Sequence, residues 1–360
     1  MSAPDDWKNV MRKSKKYWIS LTAAVMLTAF IVVCRFCTPL ADFYSLHLYP
    51  VISAVLSWIS SPLNISFQGI AVVAIIIGFI YVLVRSCRKH EGWKKCLAAV
   101  ANLLLWTFVW FYMGWCLNYS RSSIFQRLAM QRTPFDSVQF AGFLTTFTEN
   151  LNASFVDDKT VDADLLESEI KSFYASVPAK YGLCKPRSWQ HPKRMMPEWY
   201  HSATGILGYM GPLFSEFHIN TRLLPEQLPF NWAREYAHVL GVSSEDEANW
   251  WAWNACVSSE VPAISYSAHL SMLSHVWVNA RRLLSESEFK TWQSTISEEV
   301  MQDFIAKNDY WRSLRSPSLD RIQNVIYDLF LKGNHIPSGI KNYSEVVQMM
   351  MNIDYGKASE

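Results

Sequence analysis

The sequence predicts a mainly α-helical membrane protein, with three N-terminal transmembrane helices followed by a mostly helical exported domain that carries a small β element. Three observations carry this expectation. Half of the 360 residues are hydrophobic and only 18% are charged, a greasier balance than a soluble protein has. Three apolar runs, at 18–34, 65–84 and 96–117, contain no Lys, Arg, Asp or Glu. Beyond residue 120, apolar residues recur at helical spacing between gaps marked by Pro, Gly and Asn.

Each apolar run is close to the roughly 20 residues that cross about 30 Å of hydrocarbon. A cleaved signal peptide is the alternative for the first run, but no clear small-x-small site follows it and two further spans do. Residues Val51 to Ile59 are apolar too. Pro50 and Pro62 bracket them and the stretch is short, so it reads as an interfacial or re-entrant piece rather than a span. Basic residues set the orientation. Lys8, Arg12, Lys13, Lys15 and Lys16 precede the first span, and Arg85, Arg88, Lys89, Lys94 and Lys95 surround the loop between the second and third. Only Arg35 lies between the first two. The expected arrangement is a multi-pass protein of the cytoplasmic membrane, N-terminus inside, with a membrane domain over 1–119 and an extracytoplasmic domain over 120–360. The lipid bilayer is then its first partner. A net charge of +2 without a basic stripe argues against nucleic acid.

In the exported part, helices are expected over 136–150, 162–176, 230–240, 245–258, 265–284, 316–331 and 343–351. One more helix is expected from the stripe Phe289, Trp292, Ile296, Val300 and Phe304, opened by a Ser285/Glu288 capping box. Ser316 and Pro317 read as N-cap and first helical residue. Residues 201–228 are interrupted by Gly205, Gly208, Gly211, Pro212 and Pro225, and Glu216 to Asn220 alternates like a short strand. The tryptophans Trp250, Trp251 and Trp253 read as core or membrane contacts. Cys184 and Cys256 are the two cysteines outside the membrane part, and pairing and free thiols are both open for them.

The chemically informative stretch runs from Phe230-Asn231-Trp232-Ala233-Arg234-Glu235-Tyr236-Ala237-His238 through Gly241 to Glu245-Asp246-Glu247-Ala248-Asn249. It has the outline of a zincin site. In H-E-x-x-H, histidines at i and i+4 share a helical face and reach one zinc ion, while the Glu activates the metal-bound water. Here Arg234 stands where the first His belongs. A guanidinium stays charged and offers only donors, so it cannot coordinate a cation. Without metal, Arg234 is expected to supply the missing positive charge by bridging Glu235 or Glu245. No G-x-S-x-G elbow surrounds Ser202, Ser215 or Ser267, which argues against a serine hydrolase. Three spans without intramembrane charge make a poor transport pathway.

On these residues the chain resembles the bacterial membrane proteins grouped as domain of unknown function family 3810. The resemblance rests also on Gly208-Tyr209-Met210-Gly211-Pro212, Leu228-Pro229-Phe230, Tyr266-Ser267-Ala268 and Tyr343 to Val347. It implies a membrane-anchored, zincin-like, peptidase-type domain. By this resemblance Glu235 matches the catalytic, water-activating carboxylate, and His238 and Glu245 match metal ligands. Asn249 lies one turn on, placed to orient a ligand. Glu247 faces about 200° away from Glu245 on a helix and is the less suitable ligand. Two functions follow as expectations: a non-catalytic, metalloprotease-like module that binds a peptide or protein at the cell envelope, or an active zinc peptidase with an altered ligand set.

Overall fold

A computed structural model describes residues 3–88, 92–131, 136–334 and 343–353. The first apolar run lies at the end of helix α1 (Ala3–Phe36), which continues back through the basic tail. The second and third form α4 (Phe67–Arg88) and α5 (Trp93–Gly114). Lys89, part of the basic loop, lies outside the described residues. Large aliphatic side chains such as Val25, Ile70, Val73, Ile76, Ile77 and Leu104 point outward. Such a surface suits lipid better than water.

The number of helices long and apolar enough to cross a membrane is four rather than the expected three. The additional one runs from Thr38 to Ser60 and absorbs the stretch read as a short interfacial piece. Its prolines do not break it, for a local reason. Pro39 falls in the first turn of α2 (Thr38–Phe43) and Pro50 in the first turn of α3 (Tyr49–Ser60). A π-helical turn, Tyr44–Leu48, joins the two and lets the chain pass the missing Pro50 N–H without stopping.

The rest is mainly helical, as expected. A 3₁₀ turn (Cys116–Ser120) and α6 (Ile124–Arg127) lead into α7 (Ser137–Ala153) and α8 (Ala163–Ser176), whose N-caps are Asp136 and Asp162. After β1 (Lys193–Arg194), α9 (Glu198–Ala203), β2 (Gly208–Gly211) and β3 (Glu216–Ile219) come α10 (Leu228–Val239), α11 (Glu245–Val257) and α12 (Pro262–Leu283). The single stripe from Phe289 to Phe304 is two helices, α13 (Glu286–Gln293) and α14 (Glu298–Leu314). Asn152 of α7 holds the break between them: it donates to the Thr295 carbonyl at 2.8 Å and accepts from the Ser297 N–H at 2.9 Å. Helices α15 (Pro317–Gly333) and α16 (Tyr343–Asn352) close the described chain.

The strand at Glu216 is the centre of a three-stranded sheet, order β1-β3-β2, parallel to β1 and antiparallel to β2. Trp250 and Trp251 are buried, packed edge-on against each other with Trp251 among Phe173, Tyr174 and Tyr181, so the core reading applies to them. All seven cysteines, Cys184 and Cys256 included, are free thiols.

Side-chain hydrogen bonds tie the apolar helices to the C-terminal region. The Tyr49 hydroxyl donates to the Val239 carbonyl at 2.7 Å. Lys193 of β1 donates to the carbonyls of Ser60 (2.7 Å) and Ile65 (2.9 Å), and pairs with Glu216 of β3. Glu216 in turn accepts the N–H groups of Phe67 (3.2 Å) and Gln68 (2.9 Å). The cation thus serves the carbonyl end of α3 and the carboxylate the amide end of α4, each the sign that the helix terminus favours.

Candidate functional site

Helix α10 begins at Leu228-Pro229, where the ring replaces an N–H that has no helical partner anyway. The Ser267 hydroxyl of α12 takes the Phe230 N–H at 3.1 Å. The helix is buried nearly all round, so its polar residues must find partners inside the protein. It ends in a tight turn in which Gly241 has φ +98°, a left-handed conformation that suits glycine. This reversal brings Glu245, in the first turn of α11, beside His238 in the last turn of α10.

Four predicted residues meet there. The Arg234 guanidinium lies between two carboxylates, bonding Glu235 through one nitrogen and Glu245 Oε2 through another at 3.2 Å. Glu235 is only 2% exposed. His238 Nε2 stands 3.6 Å from Glu245 Oε2, and its Nδ1 donates to the Val242 carbonyl at 2.7 Å. A carbonyl only accepts, so Nδ1 holds its proton and Nε2 faces the site. Gly208 at the start of β2 passes so close to Glu235 that an added Cβ would sit 2.5 Å from its Cγ.

The electrostatics follow from this cluster. Burial pushes the Glu235 carboxyl up, against the pull of Arg234. Burial opposes charge on His238 as well, but the neighbouring Glu245 and Glu235 outweigh it and the pKa is raised. Glu245 is held well below its usual 4.5: burial resists, and His238, Arg234 and the Tyr327 hydroxyl overcome it. Stabilisation from His238 is full below its ordinary 6.5 and fades as pH rises through the raised value. Stabilisation from Glu245 is present above 4.5 and fades as pH falls through the lowered value. Replacing Glu245→Gln should therefore lower the unfolding temperature most between pH 4.5 and 6.5. Thermal unfolding across pH checks this; a deficit that stays level from acid to alkaline pH counts against the pair.

Glu247 and Asn249 lie apart, as do the histidines elsewhere in the C-terminal region. Glu247 turns to Arg127 and to the Trp251 indole N–H at 3.2 Å. Asn249 is buried and, among the described residues, bonds none of the four. His218 meets Ser66 at 2.8 Å and stacks on Tyr209; burial and then Lys193 push its pKa down to about 3. His269 bonds the Ser265 carbonyl. His275 is held down to about 4 by burial, with Lys307 and Arg234 adding to it. Among the described residues, no three His, Cys, Asp or Glu side chains are grouped to hold a metal ion.

Two neighbours escaped the sequence reading. Tyr327 of α15 donates to Glu245 Oε1 at 2.8 Å. Trp115, just beyond α5, donates to the His238 carbonyl at 2.8 Å and packs edge-on against its ring. No motif marks Tyr327, and Trp115 lies inside the apolar run 96–117 with nothing in its neighbours to set it apart.

Fold and site define a helical protein, with the apolar helices of a membrane protein, built around an arginine-bridged pair of carboxylates. The chain belongs to the family described as protein of unknown function (DUF3810), which matches residues 44–351. No curated protein and no solved structure matches it.

Proposed function

We propose that this protein is a membrane-anchored, zincin-like module with a degenerate zinc site, non-catalytic, that binds a peptide or protein at the cell envelope. The observation that carries the proposal is the position of Arg234 between Glu235 and Glu245. A catalytic zinc needs three protein ligands and an open place for water. His238 and Glu245 offer two, and the cation beside them would repel a second one. The residues present therefore do not fit zinc. Arg234 instead satisfies the carboxylates that a metal would otherwise neutralise. The peptide or protein ligand is what the resemblance to peptidase-type domains implies.

In this proposal three helices cross the bilayer and Thr38–Ser60 stays on the side of the C-terminal region. The support is where the helix ends lie. Arg35 at the end of α1, Phe67 at the start of α4 and Trp110 at the end of α5 all bond residues of the C-terminal region. So do both ends of Thr38–Ser60: Asp42 accepts from Ser122 at 2.8 Å, and Ser60 from Lys193. An odd number of crossings from a cytoplasmic N-terminus places the C-terminal region outside the cytoplasm, and the basic residues preceding the apolar run of α1 and around the junction of α4 with α5 favour that orientation.

Metal analysis of the full-length protein in detergent tests the site. The unaltered protein is expected to carry no stoichiometric zinc and to show no chelator-dependent change in unfolding temperature, while Arg234→His gains both. Stoichiometric, chelator-removable zinc in the unaltered protein would overturn the non-catalytic reading in favour of a peptidase with Glu235 as base and His238 and Glu245 on the metal.

A further inference from the structure

Helix α15 shows an apolar stripe where a protein in water would not. Ile322, Val325, Ile326 and Leu329 repeat at helical spacing and are each 56–66% exposed. The opposite side holds the helix to the protein. Gln323 accepts from the Tyr200 hydroxyl at 3.0 Å, Tyr327 donates to Glu245, and Leu331 is buried. At about 100° per residue, the stripe lies between Phe330 on one flank and Arg321 and Lys332 on the other.

The surroundings of α15 indicate what covers that stripe. Phe330 packs against Phe111 of α5 at 6.0 Å, and the Gly333 carbonyl accepts from Arg35 at the end of α1. The Tyr112 hydroxyl of α5 donates to Asn334 at 3.1 Å. The C-terminal end of α15 is thus fixed at the ends of two apolar helices, and its stripe continues from the Phe330 flank that touches one of them. The far flank is charged, with Arg321 beside the Lys332–Asp328 pair (2.6 Å), and a charged flank beside an apolar face is the pattern of a helix lying in the headgroup boundary.

We propose that α15 is an interfacial membrane helix, with Ile322, Val325, Ile326 and Leu329 in the acyl boundary of the leaflet on the side of the C-terminal region. The occupant of the stripe is lipid, since the helix that carries it is held at the ends of two apolar helices, by Phe330 on Phe111 of α5 and by the Gly333 carbonyl on Arg35 of α1. Where the site reading holds, the same helix carries consequence for it: lipid on one side of α15 keeps Tyr327 on Glu245 at the other.

The test uses full-length protein in nanodiscs, with a spin-labelled unnatural side chain replacing Ile326 or, in parallel, Asn324 on the polar side. Oxygen, which concentrates in lipid, is expected to relax the label at 326 several-fold more than a water-soluble nickel chelate does, with the order reversed at 324. The same reading at Leu329 guards against one misfolded variant. Equal access of the nickel chelate at 326 and 324 overturns the proposal. Protection of 326 from both reagents, which would mean a second copy or another protein on the stripe, overturns it as well. Metal content plays no part in this readout, so its failure and that of the site reading are separable.

Discussion

Replacing Arg234→Met is expected to destabilise the protein by about 3–5 kcal/mol, because removing one partner of a buried pair leaves the other charge uncompensated. Glu235 is the exposed liability: it has almost no access to water, and Arg234 is the cation that meets it. The loss should shrink at acid pH. Burial already raises the Glu235 pKa, so without Arg234 the carboxyl takes up a proton sooner and stops being an unpaired charge. Adding Glu235→Gln to Arg234→Met should recover most of the loss, since a neutral pair leaves no buried charge behind. Unfolding of the full-length variants followed by tryptophan fluorescence measures all three. A single variant as stable as the parent at neutral pH would show that the guanidinium does not carry the site.

Lys193→Met should cost a similar amount, about 3–5 kcal/mol, but with a different signature. Lys193 serves the Ser60 and Ile65 carbonyls as well as Glu216, so its loss strips the segment between α3 and α4 of two partners at once. Hydrogen exchange at Phe67 and Gln68, whose amides Glu216 accepts, is expected to quicken, as is proteolysis between residues 60 and 67. Here a second change, Glu216→Gln, should recover only part of the stability. It neutralises the carboxylate but leaves both carbonyls without a donor. Full recovery would show that the link is an ion pair alone and not a clamp on two helix ends.

Much of the helical architecture was legible because it rests on local chemistry. The Ser285/Glu288 box opens α13 as its spacing requires, and Ser316-Pro317 opens α15. Glu216 to Ile219 is a strand, marked by alternation and bounded by helix breakers. The site was legible in part for the same reason: Arg234, Glu235 and His238 sit on one helix and Glu245 just past one glycine turn, so sequence distance already limits their separation. The break at Ser294 to Ser297 was not legible, because the apolar stripe continues across it and the residue that holds it, Asn152, comes from another helix. The fourth apolar helix was missed for a conformational reason: a π turn carries the chain past Pro50, and no residue pattern announces one.

What the sequence by itself determined is the three apolar helices that its uncharged runs impose, out of the four the structure has, the caps that start several of the others, and the placing of a permanent cation among acids. Each depends on residues within a few turns of one another. Only the tertiary structure decided that Arg234 bridges both carboxylates rather than one, that Tyr327 closes over Glu245, and that Lys193 and Glu216 join the sheet to two helix ends. Tyr327 and Glu245, and the sheet and the helix ends it joins, are far apart in the chain, and the geometry of all these contacts is set by how the helices pack rather than by any local preference.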